Sequence, residues 1–465
     1  MKQTNSFARC LILFAPWAIA SVISFMPAAS YLVAWLGSFF IFFMTLTGKI
    51  KPIPDDRTIS EQIMRPLFIV QIIFAGYMCC TSIFYFLNLL GYEYLAKTNS
   101  ILAFDAGKLA LTAQCQRYYC LGHAALATGI LISMKYPLEK KYYIEKEKLA
   151  NLLMQTALVS FPAALVFQHV PGLTQFFFQL YSLSFMACTL ALAFAIPLRK
   201  LVNTLICLTL YLFNLQLSIL SGFKEPVILS ILILGLFLYP NYKKLVTITF
   251  GPAIIILFIF LPAYVASFRQ NAWSGEETAE DASKIALDAS LHGQGDSNWS
   301  FLVYRLSEID MFTQYVSSTP NQVGYYKFQL LNQSAIALIP RIFWPSKPVT
   351  EEMVMQRVYD AGVANRSSSV SAKPAYVVDA YLSYGAIGII IALFAYGAAA
   401  QLICQRAEHL FGGYTLGTAL IFSGLFQIMW RGLSFEFIIN TVFWSYVTMI
   451  IVFKVFRSRN ILKLV

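Results

Sequence analysis

The stretch Pro340-Arg341-Ile342-Phe343-Trp344-Pro345-Ser346-Lys347-Pro348 gathers the residue types best suited to chemistry on a phosphate. A guanidinium grips phosphate through two parallel N–H bonds, whereas an ammonium acts as a point charge. Arg341 lies between prolines that restrict the backbone, and Trp344 supplies an aromatic face, so Arg341 is the cation expected to be pre-oriented. Lys347, Arg357, Arg366 and Lys373 continue the basic series, with Arg269 at its start and Arg305 between them. Asp379 stands at the mouth of the next apolar segment, in Asp379-Ala380-Tyr381-Leu382-Ser383-Tyr384-Gly385-Ala386-Ile387-Gly388. A carboxylate at that depth is placed to accept a proton from a sugar hydroxyl.

Two short polar turns complete the set. Ser221-Gly222-Phe223-Lys224-Glu225-Pro226 interrupts an apolar run, and Trp430-Arg431-Gly432-Leu433-Ser434-Phe435-Glu436 interrupts another. Ionisable groups near the hydrocarbon are costly and point to function, although a snorkelling hairpin with Pro226 opening a helix explains the first turn as well. Gln116 and His123 share a helical face, and His123 reads as a packing histidine. Cys115 and Cys120 read as small helix-packing residues. His292 sits in an acidic, polar stretch. No acidic cluster has metal-ligand spacing, so neither a metal nor a cofactor is expected.

The rest of the chain explains where these residues must sit. Its 465 residues are 58% hydrophobic and only 12% charged, with a mean hydropathy of +0.64; an ordinary soluble domain is about 25% charged. This composition specifies an all-α polytopic membrane protein. Stretches of membrane-crossing length fall near 10–27, 31–47, 66–90, 109–134, 152–168, 173–196, 201–220, 223–240, 245–267, 378–403, 412–430 and 437–456, about twelve helices. The first is read as retained rather than as a cleaved leader. Lys and Arg concentrate on one side if both termini are cytoplasmic. The formal charge of +11 therefore needs no nucleic-acid partner. Residues 1–267 form nine helices, 268–377 one large outward-facing loop with short helices, and 378–465 three more helices. No internal repeat of the kind found in two-half transporters is visible.

Within the loop, Gly275 to Ser297 is acidic and rich in small residues, which predicts a mobile, solvated lead-in. Phe301, Val303, Leu306, Ile309, Phe312 and Val316 predict one surface helix. Gln329–Leu338 predicts a second helix ending before Pro340. Glu351 to Tyr359 predicts a third, with Thr350 as its N-cap. The apolar run Ile336 to Trp344 is expected at the membrane face.

From Ser221 to Gly397 the order of motifs resembles the Wzy-type O-antigen, or oligosaccharide repeat-unit, polymerases of bacteria. The resemblance rests on Ser221-Gly222-Phe223-Lys224 before a helix, the Pro340–Pro348 stretch, and Asp379 followed by Tyr381, Gly385 and Gly388. Lys224 stands where such proteins often carry Arg, and Asp379 where Glu is commoner. The resemblance implies a glycosyltransferase C-like membrane fold and inverting, metal-independent transfer of a glycan from undecaprenyl pyrophosphate to a single lipid-linked repeat unit. The product would be O-antigen, capsular or exopolysaccharide, made on the outer face of the bacterial inner membrane beside a flippase and a chain-length regulator.

The residues take matching roles: Arg341, Lys347, Lys224 and Arg269 stabilise the leaving pyrophosphate, Trp344, Arg305 and Arg431 bind glycan or phosphate, and Asp379, then Glu225, serves as base. An O-antigen ligase would share the donor but lean on a loop histidine, for which His292 is poorly placed. A non-enzymatic exporter or flippase should carry charges deep in several spans.

The predicted orientation has a direct check. A reporter enzyme active only outside the cytoplasm should be active when inserted within 275–297 and silent after Tyr136 or at the C-terminal end. Activity at the C-terminal end would overturn the orientation.

Overall fold

The computed structural model describes residues 6–93, 96–97, 105–136, 141–220, 224–272, 278–291, 296–366, 372–411 and 433–465. The described residues are 77% helical, as apolar surroundings require: where no water is present, backbone N–H and C=O groups must pair within their own segment. In order, the main helices are α1 (Ala8–Val22), α2 (Pro27–Leu46) and α3 (Pro66–Leu89), then α4 (Ala106–Ser133), α5 (Lys146–His169), α6 (Phe177–Ala195), α7 (Leu201–Leu220), α8 (Lys224–Leu238) and α9 (Lys243–Ala272). Four loop helices follow: α10 (Ala279–Leu291), α11 (Ile309–Ser318), α12 (Gln329–Leu338) and α13 (Thr350–Asp360). The long α14 (Tyr376–Phe411) and α15 (Phe435–Ser458) complete the set.

Among the described residues seven helices are long and apolar enough to cross a membrane: α2, α3, α5, α6, α7, α14 and α15. The protein is thus a helical, membrane-embedded one. Helices occupy every segment expected from the sequence except 412–430, which lies outside the described residues.

Helix α4 is less apolar than its neighbours because protein surrounds it. Nearly every residue from Leu109 to Leu131 on its inner faces is buried, so polar side chains there meet partners rather than lipid. Gln116 donates to the carbonyl of Cys79 at 3.0 Å. The ring of His123 packs edge-on against Phe42 and shares a 3.0 Å hydrogen bond with Gln71. Cys115 and Cys120 are buried with free thiols.

The centre of the molecule is the crossing of α4 and α14. A Cβ at Gly129 would lie 2.1 Å from the Phe394 carbonyl oxygen, and one at Gly397 would lie 2.2 Å from that of Leu126. The two backbones therefore touch, a separation that small residues permit between membrane helices. In its N-terminal third α14 breaks at Tyr384 and Gly385, where Gly385 has φ +61° and ψ −140°, a conformation that glycine tolerates at no steric cost. The break frees two carbonyls for the loop: Tyr326 N–H donates to Leu382 at 2.9 Å and Lys327 N–H to Ser383 at 3.0 Å. Each freed backbone acceptor in this buried place thus finds a donor.

The loop is more ordered than its composition predicts. The expected mobile lead-in instead contains α10, packed on α9 through Ala282 and Ala286 against Leu261, Tyr264, Val265 and Phe268. Thr278 accepts from the Asp281 N–H at 3.2 Å and caps the helix, and acidic Glu280 and Asp281 suit its first turn. The expected single surface helix over Phe301–Val316 is broken, because Glu308 adopts a left-handed conformation between a π-turn at Leu302–Leu306 and α11. Nor is α11 superficial: Ile309 and Phe312 are fully buried, with Phe312 5.3 Å from Tyr119 and 5.8 Å from Tyr381. Helix α12 has the predicted bounds, and α13 begins at Thr350 with Val349 rather than Thr350 in the capping position. Of the Ile336–Trp344 run, Ala337 is buried while Ile342 and Phe343 are exposed, Phe343 by 78%.

The α4–α14 crossing makes a stability prediction. Gly129→Ala or Gly397→Ala forces the backbones apart and should cost about 1–3 kcal/mol, read as a lowered thermal midpoint in detergent. Gly251→Ala, whose Cβ meets nothing within 4 Å, should leave the midpoint unchanged or slightly raised.

Candidate functional site

Three charged side chains from three elements meet where the loop joins the membrane helices. Arg357 on α13 is 1% exposed, and Asp379 on α14 and Glu436 on α15 are 0% exposed. The local sequence explains each position. Val354 and Val358 set the buried stripe of α13, and Arg357 falls beside it at helical spacing. Asp379 and Glu436 both lie in the first turn of their helices, where a negative charge complements the helix dipole.

Arg357 places its whole donor fork on this pair. Nε and Nη2 donate to Asp379 Oδ1 and Oδ2, each at 2.9 Å, while Nη1 and Nη2 donate to Glu436 Oε1 at 2.9 Å and Oε2 at 2.7 Å. Nη1 also reaches Gln333 of α12 at 3.4 Å. The Phe435 N–H donates to Asp379 Oδ2 at 2.8 Å, so Asp379 also covers an orphan N–H of α15. Burial by itself would lower the pKa of Arg357, but Asp379 and Glu436 overcome that penalty and raise it above its ordinary value. One guanidinium facing two carboxylates leaves a formal excess of one negative charge among three buried side chains. Such a triad favours uptake of a proton or a passing cation.

Around the triad lies a polar and aromatic shell. Tyr376 packs at a tilt against Phe435, ring centres 4.5 Å apart. Tyr326 donates to Asp360 at 2.9 Å, and burial followed by that carboxylate raises its pKa. Lys373 pairs with Glu351 at 3.1 Å and lies 4.6 Å over the ring of Phe437.

The Pro340–Pro348 stretch folds into a separate basic turn. Arg341 is half-buried and bends back on its own backbone, donating to the carbonyls of Pro345 and Pro348, each at 3.3 Å. Lys347 faces inward, contrary to its expected role as an open phosphate ligand: it is 6% exposed and donates to Ile339 at 2.7 Å and Ala337 at 3.2 Å, capping the carbonyl end of α12. Burial, and then the nearby charge of Arg341, lowers its pKa. Trp344 donates to Ser346 at 3.1 Å. The turn is braced from both sides. Gly172, with φ +86°, lets the Ile342 backbone approach so closely that a Cβ would lie 2.9 Å from its nitrogen, and Trp444 of α15 donates to Leu338 at 3.1 Å.

The structure thus joins Asp379 to Arg357 and Glu436, and Arg341 to Lys347 and Trp344. Arg305 is exposed, with its carbonyl receiving Tyr77 at 3.2 Å. Lys224 opens α8 and Arg269 lies near the end of α9, but their side chains and that of Glu225 lie outside the description, as do Arg431 and His292.

Sequence reasoning paired neither Arg357 nor Glu436. It also missed a second buried ionic cluster at the opposite end of α14. There Arg57 pairs with Glu408 and Arg65 with Asp56, while the Arg65 guanidinium lies 4.1 Å over Tyr136. Buried charge is therefore present at both ends of α14.

A family model described as "Domain of unknown function (DUF8712)" matches residues 15–464. No curated protein and no solved structure matches the chain.

Removing the cation from the triad should expose its excess charge. Arg357→Ala is expected to cost about 3–5 kcal/mol, measured as loss of thermal stability in detergent. Adding Glu436→Gln to Arg357→Ala should recover part of that loss. An unchanged midpoint in Arg357→Ala would show that the triad does not hold the loop.

Proposed function

The chain belongs to the DUF8712 family, and from its site geometry we propose that it is a membrane glycosyltransferase, a polymerase of lipid-linked oligosaccharide repeat units. In this reading about twelve helices of glycosyltransferase C-like arrangement, with cytoplasmic termini, hold the loop on the outer face of the bacterial inner membrane. The observation that carries the reading is the braced turn. Arg341 is fixed by two proline-residue carbonyls above an inward Lys347, and its neighbours Ile342 and Phe343 are exposed as a lipid-seeking tip. A polyprenyl pyrophosphate presents both matching features, an apolar chain and an anionic head at headgroup depth.

The reaction is a single displacement. The acceptor sugar's hydroxyl oxygen bonds to the anomeric carbon of the donor, the bond from that carbon to the pyrophosphate oxygen breaks, and the configuration inverts. Arg341 stabilises the charge growing on the pyrophosphate, with Lys347 supporting the turn and Lys224 and Arg269 as further cations. Trp344, Arg305 and Arg431 contact glycan or phosphate. The hydroxyl proton passes to Asp379, once its carboxylate is released from Arg357 or Phe435 and opened to the acceptor, or to Glu225. The excess negative charge of Arg357, Asp379 and Glu436 supports the first assignment.

The test is complementation of a strain lacking this gene. Arg341→Ala and Asp379→Asn should each abolish long glycan chains while single-unit glycolipid persists, and Arg305→Ala should reduce chain yield less. Normal ladders from both Arg341→Ala and Asp379→Asn would overturn the site. Single units trapped in the cytoplasmic leaflet after deletion would instead establish an exporter.

A further inference from the structure

Away from the triad, α14 and α15 diverge and leave two cavities along one seam. The first, about 420 Å3, lies at their far end and is lined by Arg406, Leu410, Ile450, Phe453, Lys454 and Arg457. The second, also about 420 Å3, lies nearer the triad and is lined almost wholly by apolar and aromatic side chains, among them Tyr396, Ala399, Ile438, Val442 and Tyr446. Tyr446 and Ile450 are one helical turn apart on α15, so the cavities are successive stations of the same seam.

The charges at its mouth are arranged around a concavity. Lys454 and Arg457 share a face of α15 at i, i+3, and Arg406 reaches the same space from α14. Glu408, the acidic neighbour on α14, is turned away and paired with Arg57. Among the described residues no carboxylate lines the mouth, so its three exposed cations are left to face an anion from outside. A general preference of Lys and Arg for one membrane side would place cations near this level, but would not aim three of them into one hollow with an apolar floor.

We propose that this seam binds an anionic phospholipid of the adjoining leaflet, with its headgroup phosphate among Arg406, Lys454 and Arg457 and one acyl chain in the slot past Tyr446. The dimensions agree: Lys454 to Val442 spans about 18 Å along the helix, against about 15 Å for half of the hydrocarbon core. This site is independent of the glycosyl-transfer reading. Its phosphate end lies at the other end of α14 from Asp379, and only the apolar slot reaches back to Tyr376 beside the triad.

The test is native mass spectrometry of the delipidated full chain offered phosphatidylglycerol or phosphatidylcholine in detergent at fixed salt. Phosphatidylglycerol should be retained about tenfold or more over phosphatidylcholine. The triple substitution Arg406→Gln, Lys454→Gln and Arg457→Gln should abolish the preference, with folding checked by gel filtration. Ala399→Trp, which fills the chain slot, should lower retention without touching a charge. Equal retention of the two lipids, or an unchanged preference in the triple variant, would overturn the site. Displacement of the lipid by millimolar inorganic phosphate would show a free-phosphate site and overturn the lipid assignment.

Discussion

The buried ion triad is the constraint on which the loop side of the molecule depends. Arg357 cannot be buried alone, because desolvating a charge costs several kcal/mol, and its planar fork demands acceptors in fixed directions. Those acceptors come from α14 and α15. The loop is therefore held against the membrane helices by geometry that tolerates little sliding, and hydrophobic contacts such as Phe312 on Tyr119 complete the fit. Apolar residues could have fastened the loop at lower desolvation cost. Two carboxylates on one guanidinium make instead an uneven cluster, ready to take up positive charge.

The triad works only because α14 is not a simple rod. At its middle it must touch α4 backbone to backbone, which fixes its position. At its N-terminal end it must turn Asp379 toward the loop and still hand two carbonyls to Tyr326 and Lys327. The break at Gly385 meets both demands, dividing a rigid lower part from a loop-binding upper part. The second ionic cluster, at Arg57, Arg65 and Glu408, fastens the opposite end of the same helix. Helix α14 is thus pinned by ions at both ends and by close packing in between.

Local signals in the sequence were legible where one segment decides its own structure. The bounds of α12 follow from its apolar pattern and Pro340, and the long apolar runs are helices as their composition requires. Composition misled where a small-residue face was hidden among acids: Ala282 and Ala286 dock α10 although Glu280, Asp281 and Asp288 make the stretch look solvated. Glu308 broke a regular apolar period through a backbone conformation that residue type does not announce. In the site, Arg341, Trp344 and Asp379 were legible as unusual residues, and the spacing of Val354, Arg357 and Val358 holds a signal for a buried arginine. What spacing could not give was partnership. Lys347 spends its charge on α12 carbonyls, and Arg357 finds Glu436 across 79 positions of chain.

That separation in sequence has a consequence for assembly. As the chain emerges from its N-terminal side, Arg357 and Asp379 arrive together and form a neutral pair, while Glu436 follows only with α15. In chain order, the partners of a balanced salt bridge therefore precede the carboxylate that unbalances it. A chain halted before Phe435 would lack both the second carboxylate and Trp444, the brace behind the basic turn. Arrival of one helix therefore completes the electrostatics of the triad and the rigidity of the Arg341 turn in a single event.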